Sequence, residues 1–181
     1  KLNMVKKIVG TGVLLVLALA LQAGVKMYTL KSPDGKVKLE VTAGQGIAYS
    51  LFYDGRLLLK PSRIALHTDL PEADHWENIR ITGTKQRHVS ETVQAPFYRV
   101  KEFGIDCNEL ELRLNNGFSL LMRAYNDGMA YRFVAGRKGE MTVVEERAEF
   151  NFADDFEAYI PYSTNPKDPW NMAFQNFYTK A

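Results

Sequence analysis

The stretch Arg123-Ala-Tyr-Asn-Asp-Gly-Met-Ala-Tyr-Arg-Phe133 predicts the fold most directly. Two runs rich in apolar and aromatic residues flank Asn126-Asp127-Gly128, whose residue types tolerate the positive φ of a tight hairpin turn. Side chains alternate with a period of two residues on both sides, which is typical of two antiparallel strands with one buried face. We interpret Asp127 as a residue that shapes the turn, and Arg123 and Arg132 as residues of the solvated face.

Outside this hairpin, short runs of β-forming residues alternate with turn residues along the chain. They predict strands over residues 27–30, 36–42, 47–53, 56–59, 62–68, 79–84, 87–93, 97–105, 108–114, 141–152 and 156–160. Turns are expected at Asp54-Gly55 and at Asn115-Asn116-Gly117. Pro61 is expected to end the strand over 56–59, because proline has no N–H to donate to a ladder. Residues 69–76 are polar and irregular and predict a surface loop.

The chain as a whole has the composition of one globular domain. It has 181 residues, of which 46% are hydrophobic and 24% charged, so it can bury a core and is not disordered. Nine Tyr and ten Phe favour sheets. No segment after the leader shows helical periodicity over three turns. The sequence therefore predicts an all-β protein, an antiparallel β-sandwich.

The first 23 residues have the pattern of a signal peptide. Lys6-Lys7 form a basic segment, residues 8–21 form an apolar segment, and Ala23 precedes Gly24 at one cleavage site. A second site follows Ala18-Leu19-Ala20, and an uncleaved N-terminal anchor is the alternative. We expect export to the periplasm or the medium, with residues 24–181 as the mature domain.

Charge and cysteine content exclude several classes of function. Without Lys1, Lys6 and Lys7, 20 basic residues face 21 acidic ones, a net charge of −1. We therefore expect no nucleic-acid partner. Cys107 is the single cysteine, so no intramolecular disulfide forms, and we interpret it as a small buried hydrophobe rather than a nucleophile.

No catalytic constellation is visible in the residues themselves. The chain has no phosphate-binding glycine loop, no paired cysteines and no nucleophile elbow. His67 and His75 lie eight residues apart, a weak metal pattern, and the run Asp154-Asp155-Phe156-Glu157 lacks the spacing of a calcium loop. Glu145 and Glu146 are adjacent on a predicted strand, so they would point to opposite faces.

The C-terminal segment is rich in turn residues and then in large aromatic ones. Trp170, Phe174, Phe177 and Tyr178 lie within nine residues of each other. Such side chains need a surface to cover them. We expect them to pack either on the sandwich itself or on another part of the protein.

Five motifs, in this order and at this spacing, resemble the N-terminal domain of glycoside hydrolase family 97. They are Leu30-Lys31-Ser32-Pro33-Asp34-Gly35-Lys36, Tyr53-Asp54-Gly55-Arg56, Leu59-Lys60-Pro61-Ser62-Arg63-Ile64-Ala65-Leu66, Asn108-Glu109-Leu110 and the hairpin at 123–133. The resemblance implies a super-sandwich of the galactose-mutarotase-like kind, incomplete at the C-terminus. It also implies that the parent protein is an exported, calcium-dependent α-glycosidase of the α-glucosidase or α-galactosidase branch.

In that family the catalytic carboxylates belong to a (β/α)₈ barrel, which we expect to be the partner of this domain together with an α-linked oligosaccharide. The resemblance therefore implies a fragment that is inactive by itself, and that self-associates because a sandwich cut short exposes apolar surface. It also places Gln175 at a position that is Glu in the family and contributes to the calcium site. An amide oxygen can coordinate calcium but brings no charge.

Two questions stay open at this level. Inversion and retention both occur in the family, and nothing in the chain distinguishes them. The alternative function is a stand-alone carbohydrate-binding or scaffold sandwich, with Trp76 and Trp170 as candidates for stacking on sugar rings. Packing within its loop explains Trp76 equally well, and a contact between domains explains Trp170 equally well.

Overall fold

The computed structural model describes residues 26–97, 99–161, 167 and 178–180. These residues form strands and turns, and no helix occurs among them. None of this described part could therefore cross a membrane as a helix. The strands are β1 (Lys26–Lys31), β2 (Val37–Gly44), β3 (Gly46–Tyr53), β4 (Arg56–Thr68), β5 (Ile81–Gln94), β6 (Glu102–Leu114), β7 (Phe118–Tyr125), β8 (Gly128–Ala135), β9 (Val143–Ala148), β10 (Tyr159–Pro161) and β11 (Tyr178–Lys180).

Two antiparallel sheets form a sandwich, as the sequence predicts. One sheet has the order β1-β2-β3-β4-β9 and the other β5-β6-β7-β8, while β10 and β11 form a separate pair. Alternate residues of each sheet point into the shared core. Their fully buried members include Leu39, Val41, Ile47, Tyr49, Ile64, Leu110, Leu112, Leu120 and Met122. The period of two residues that predicts the strands therefore also marks the core.

The hairpin over residues 123–133 forms, but its turn differs from the expected geometry. Tyr125 pairs with Gly128, so Asn126 and Asp127 form a two-residue turn between β7 and β8. Positive φ angles occur at Asp54 (48°) and Gly55 (80°), but at none of residues 126–128. The expectation of a positive φ is wrong at this turn, because a tight turn of type I closes with both central residues at negative φ. At Asp54-Gly55 the expectation is confirmed.

Pro61 does not end a strand, which corrects the prediction from the sequence. β4 continues through it from Arg56 to Thr68. Leu51 pairs with Leu59 and Tyr49 with Ser62, so two residues of β4 oppose one residue of β3. This is a β-bulge, in which a residue needs no ladder partner, and proline is tolerated there.

Other predicted strands merge or shorten. The predicted strands over 79–84 and 87–93 merge into the single strand β5, which begins at Ile81. Those over 97–105 and 108–114 merge into β6, which begins at Glu102. β5 lies at the edge of its sheet, and its residues are mostly polar and exposed. It nevertheless pairs with β6 from Ile81 to Gln94. The predicted strand over 141–152 shortens to β9, although Lys60 and Ala153 still donate backbone hydrogen bonds between that segment and β4.

Candidate functional site

Several residues to which the sequence assigns a role lie outside the described part of the chain. They are Gln175, Trp170, and the leader over residues 1–23. The calcium position, one of the two sugar-stacking candidates and the export signal therefore stay predictions.

Trp76 is not available to stack on a sugar. It is only 6% exposed, its indole Nε1 donates a hydrogen bond to the Leu66 carbonyl at 3.0 Å, and its ring meets Phe133 edge-on at 5.2 Å. Residues 69–76 form a loop as predicted, but the side chain of Trp76 belongs to the hydrophobic core, where it packs against Phe118 and Phe133. The interpretation of Trp76 as a packing residue is confirmed, and its interpretation as a sugar-binding platform is wrong.

The residues that could suggest metal or acid–base chemistry do not converge. His67 Nδ1 lies 2.8 Å from Asp74 Oδ1. Within the described ranges no group of three His, Cys, Asp or Glu side chains could hold a metal ion. Glu146 accepts a hydrogen bond from the Tyr131 hydroxyl at 3.1 Å, while Glu145 is paired across the strands with His67, so the two carboxylates point apart as expected.

A hydrogen bond joins the first motif to the central hairpin. The Asn126 side-chain oxygen accepts from the Asp34 backbone N–H at 3.1 Å. Asp34 is itself oriented by a hydrogen bond from the Ser32 hydroxyl at 2.6 Å and one from the Lys36 N–H at 3.0 Å, which lower the pKa of its carboxyl. The turn of β1–β2 and the turn of β7–β8 therefore meet at one end of the sandwich.

The side chains of Asn108 and Glu109, in the fourth motif, lie on opposite faces of β6. Asn108 Nδ2 donates to the Lys31 carbonyl at 2.8 Å, and Gln86 Nε2 donates to the Thr29 carbonyl at 3.0 Å. Both carbonyls belong to β1, the edge strand of the other sheet. These side chains therefore tie the two sheets together and occupy acceptors that an edge strand would otherwise leave open.

Glu109 lies on the outer face of the β5–β8 sheet, between two arginines. Its oxygens accept from Arg87 Nε at 2.6 Å and from Arg123 Nε at 2.8 Å, and the residue is only 4% exposed. Burial by itself would raise the pKa of Glu109, but the hydrogen bonds and charges of the two guanidinium groups outweigh it, so the pKa is lowered. The prediction that Arg123 is a solvated residue is wrong: its side chain is half-buried and ion-paired. Arg132 is exposed, as predicted.

Cys107 is fully buried on the same outer face, two residues before Glu109. Burial raises the pKa of its thiol, so the reactive thiolate is disfavoured. The interpretation of Cys107 as a small hydrophobe is confirmed.

The bulge at Pro61 is held by a cluster from the segment after β9. The Ser62 hydroxyl, which is fully buried, donates to the Lys60 carbonyl at 2.8 Å and accepts from the Asn151 N–H at 2.9 Å. Asn151 Nδ2 also donates to the Pro61 carbonyl at 2.9 Å. The motif at residues 59–66 is therefore hydrogen-bonded to a residue about 90 positions later in the chain.

The sequence model of the family described as glycosyl-hydrolase 97 N-terminal matches residues 30–181. The chain belongs to this family. A retaining alpha-galactosidase of Bacteroides thetaiotaomicron is 39% identical to this GH97 N-terminal chain over 167 residues, covering 89% of the chain and 25% of the relative. A probable retaining alpha-galactosidase of Streptomyces bingchenggensis is 26% identical over 132 residues, covering 71% of the chain and 20% of the relative. The chain thus spans about a quarter or less of the length of these relatives.

Solved structures share the fold of the GH97 N-terminal chain. A beta-arabinopyranosidase superposes with a TM-score of 0.71 at 22% identity, over 84% of this chain and 26% of the other. A GH97 enzyme of Pseudoalteromonas sp. strain K8, in complex with panose, superposes with a TM-score of 0.61 at 19% identity, over 74% and 22%. At these identities the likeness is one of fold.

The GH97 N-terminal chain exposes an apolar segment at and after β9. Seven large apolar side chains between residues 143 and 160 are exposed: Val143, Val144, Phe150, Phe152, Phe156, Tyr159 and Ile160. Val144 is 68% and Phe152 is 60% exposed. A contiguous patch of exposed apolar groups is typical of a surface that contacts another protein.

Sequence reasoning missed the Arg87–Glu109–Arg123 cluster. The only signal for it was that Glu109 belongs to the motif Asn108-Glu109-Leu110. The neighbouring residues do not indicate that the Glu109 side chain is buried. The pairing Arg87–Glu109–Arg123 follows from the register of three adjacent strands, which the sequence does not state.

Proposed function

We propose that this chain is the N-terminal β-sandwich domain of an exported, calcium-dependent α-glycosidase, and that it buttresses the catalytic barrel and helps to shape the sugar pocket. The observation that carries this proposal is the exposed apolar segment over residues 143–160 in a domain that spans a quarter of its relatives. A barrel packed on the seven exposed apolar side chains of this segment would remove them from water, which stabilises the assembly.

The reaction of the parent protein is proposed from its relatives. Two relatives are named as retaining or probable retaining alpha-galactosidases, one of them at 39% identity. We therefore favour hydrolysis of α-galactosides with retention, among the α-glycosidase activities that the sequence leaves open. In a retaining mechanism one carboxyl protonates the leaving oxygen, and a second carboxylate attacks the sugar to form a covalent intermediate.

The described residues contribute positioning rather than chemistry to this reaction. Their one deeply buried carboxylate, Glu109, is neutralised by Arg87 and Arg123 and lies on the outer face of a sheet. A group with both oxygens occupied in this way is a poor general acid or nucleophile. The acid and the nucleophile would belong to the barrel, at the C-terminal ends of its strands.

Calcium in the intact protein would increase the positive charge beside the sugar. We propose that Gln175 contributes one amide oxygen to it, an oxygen donor of the kind that calcium accepts. The remaining ligands would be carboxylates of the barrel, which supply the charge that an amide lacks.

The pattern of residues 1–23 supports export of the parent protein. The alternative, a stand-alone carbohydrate-binding sandwich, loses the support of Trp76, which is buried.

The test is to read the gene downstream of Ala181 and to assay its full product. We expect an open frame that encodes a barrel, and an enzyme that cleaves nitrophenyl α-galactoside faster than nitrophenyl α-glucoside. The first-formed sugar, followed by nuclear magnetic resonance, should be the α-anomer. A stop codon directly after Ala181, or a full product without glycosidase activity, would refute the proposal.

A further inference from the structure

A cleft of about 430 Å³ lies beside the turn between β2 and β3, away from the Arg87–Glu109–Arg123 cluster. This volume is within the range of about 300–1,000 Å³ that small-molecule sites occupy. Small residues, among them Gly44, Gly46 and Ala48, line part of it. Longer polar side chains line another part, its polar wall, and include Arg63, Arg147, Glu149 and Asn151.

The polar wall of the cleft is pre-arranged by Glu149. One of its oxygens accepts from Arg147 through Nε, at 2.8 Å, and through Nη2. Its other oxygen accepts from the Arg63 backbone N–H at 3.0 Å and from Asn151 Nδ2 at 3.3 Å. The backbone bond from Arg63 and the contact with Arg147 lower the pKa of Glu149, so it is charged near neutral pH. Groups held in this way lose little freedom when a ligand binds.

Several hydrogen-bonding groups of this wall have no partner in the described part of the chain. The Arg63 guanidinium and the Gln45 side-chain amide make no hydrogen bond there, and the side chain of Asn151 donates through Nδ2 to two acceptors but accepts no hydrogen bond at Oδ1. Because Glu149 compensates Arg147, the charge of Arg63 remains in excess. The cleft therefore offers one unpaired cation together with neutral donors and acceptors.

We infer that this cleft binds an acidic sugar, a pyranose ring that carries a carboxylate. A guanidinium group binds a carboxylate through two parallel hydrogen bonds, which Arg63 is free to make. The side-chain amide of Gln45 and the Oδ1 atom of Asn151 supply a donor and acceptors for ring hydroxyls. This ligand is distinct from the neutral α-galactoside of the proposed function. The binding of an acidic sugar in the cleft and the hydrolysis of α-galactosides can therefore be refuted separately.

The test is a nuclear magnetic resonance titration of the nitrogen-labelled chain with galacturonic acid, and with galactose and sodium phosphate as comparisons. Galacturonic acid should shift the amide signals of Gly44, Gln45 and Gly46 in a saturable way. Galactose, which lacks the carboxylate, should bind at least about tenfold more weakly. Added salt should weaken the binding of galacturonic acid, since the cleft is open to solvent.

Two variants and a matched control locate the site. Arg63→Gln should weaken galacturonic acid binding by at least about tenfold, and Gln45→Ala by a few-fold, because a charged hydrogen bond is stronger than a neutral one. Arg132→Gln makes the same chemical change at an exposed position of the other sheet and should leave binding unchanged. A well-dispersed spectrum of each variant shows that it is folded.

The inference is overturned if galacturonic acid does not saturate these signals, or if galactose or phosphate binds as tightly. It is equally overturned if folded Arg63→Gln binds like the unmodified chain.

Discussion

Asn126 accepts a hydrogen bond from the backbone of Asp34, a residue 92 positions earlier, at 3.1 Å. Asp34 lies in the turn between β1 and β2, and Asn126 in the turn between β7 and β8, so the bond joins the two sheets. Both residues belong to motifs that carry the family resemblance. These two motif residues thus hold the two sheets together.

Asn126→Ala removes this contact and should reduce the free energy of unfolding by about 1 kcal/mol, the usual contribution of one hydrogen bond. Urea denaturation of the purified chain measures the change. Asp127→Ala, next to it in the turn, is the control and should change stability by less than about 0.5 kcal/mol. Equal losses in the two variants would show that the turn, and not the bond to Asp34, matters.

Glu109→Gln should destabilise the chain by about 2 kcal/mol near neutral pH, because two charged hydrogen bonds are weakened at a buried position. Glu111→Gln is the control, since Glu111 lies two residues away on the same strand and forms no ion pair with an arginine among the residues that the structure describes. Denaturation of both variants at pH 7 measures the difference.

The effect of Glu109 should depend on pH in a defined direction. Its pKa is lowered in the folded state, so its stabilisation is complete above the unfolded value, near 4.3, and is lost as pH falls through the folded value. Stability curves of the unmodified chain and of Glu109→Gln should therefore converge as the pH falls below about 4. Curves that stay parallel down to pH 3 would contradict this account of the cluster.

Ser62→Ala should lower the free energy of unfolding more than Pro61→Ala does, although the two residues are adjacent in the bulge. Ser62 is buried, and its loss leaves the Asn151 N–H without its acceptor, which costs about 1–3 kcal/mol. Pro61→Ala removes no hydrogen bond. It only increases the conformational entropy of the unfolded chain, which lowers the free energy of unfolding by about 0.4–1 kcal/mol. Thermal denaturation of the two variants ranks them, and the opposite order would refute the assigned role of Ser62.

Val144→Lys should reduce self-association of the 181-residue chain. Val144 is 68% exposed on β9, an edge strand of the five-stranded sheet, and a lysine on an edge opposes pairing with another copy. Analytical ultracentrifugation at increasing concentration measures the association. Val134→Lys, on the edge strand β8 of the other sheet, is the control and should reduce self-association less than Val144→Lys does. A chain that is monomeric at every concentration would contradict the prediction.

Gln175→Glu in the full-length protein should raise calcium affinity by about tenfold or more, because a carboxylate adds the charge that the amide lacks. Isothermal titration after removal of calcium with a chelator measures it. Gln45→Glu, in the cleft beside the β2–β3 turn, adds the same charge elsewhere and should leave the affinity unchanged. An unchanged affinity in Gln175→Glu would remove Gln175 from the calcium site.

Local features of the fold were predictable because they depend on neighbouring residues. The alternation of Val37, Leu39 and Val41 marks a half-buried strand, and Asp54-Gly55 adopts the positive φ angles that a tight hairpin requires. Predicted strand ends were less accurate. At Pro61, local chemistry indicates a stop, but a bulge opposite β3 accommodates the proline.

By itself, the sequence determined the strands, most of the turns and the antiparallel class of this protein, since side-chain period and turn chemistry act over a few residues. Its ordered motifs also determined the family. Only the tertiary structure decided that Trp76 is buried and that Arg123 is paired with Glu109. The first depends on packing against β4 and β8, and the second on the register between β6 and β7. The tertiary structure likewise decided the cleft at Arg63, whose polar wall forms where Glu149 and Asn151 meet the bulge of β4.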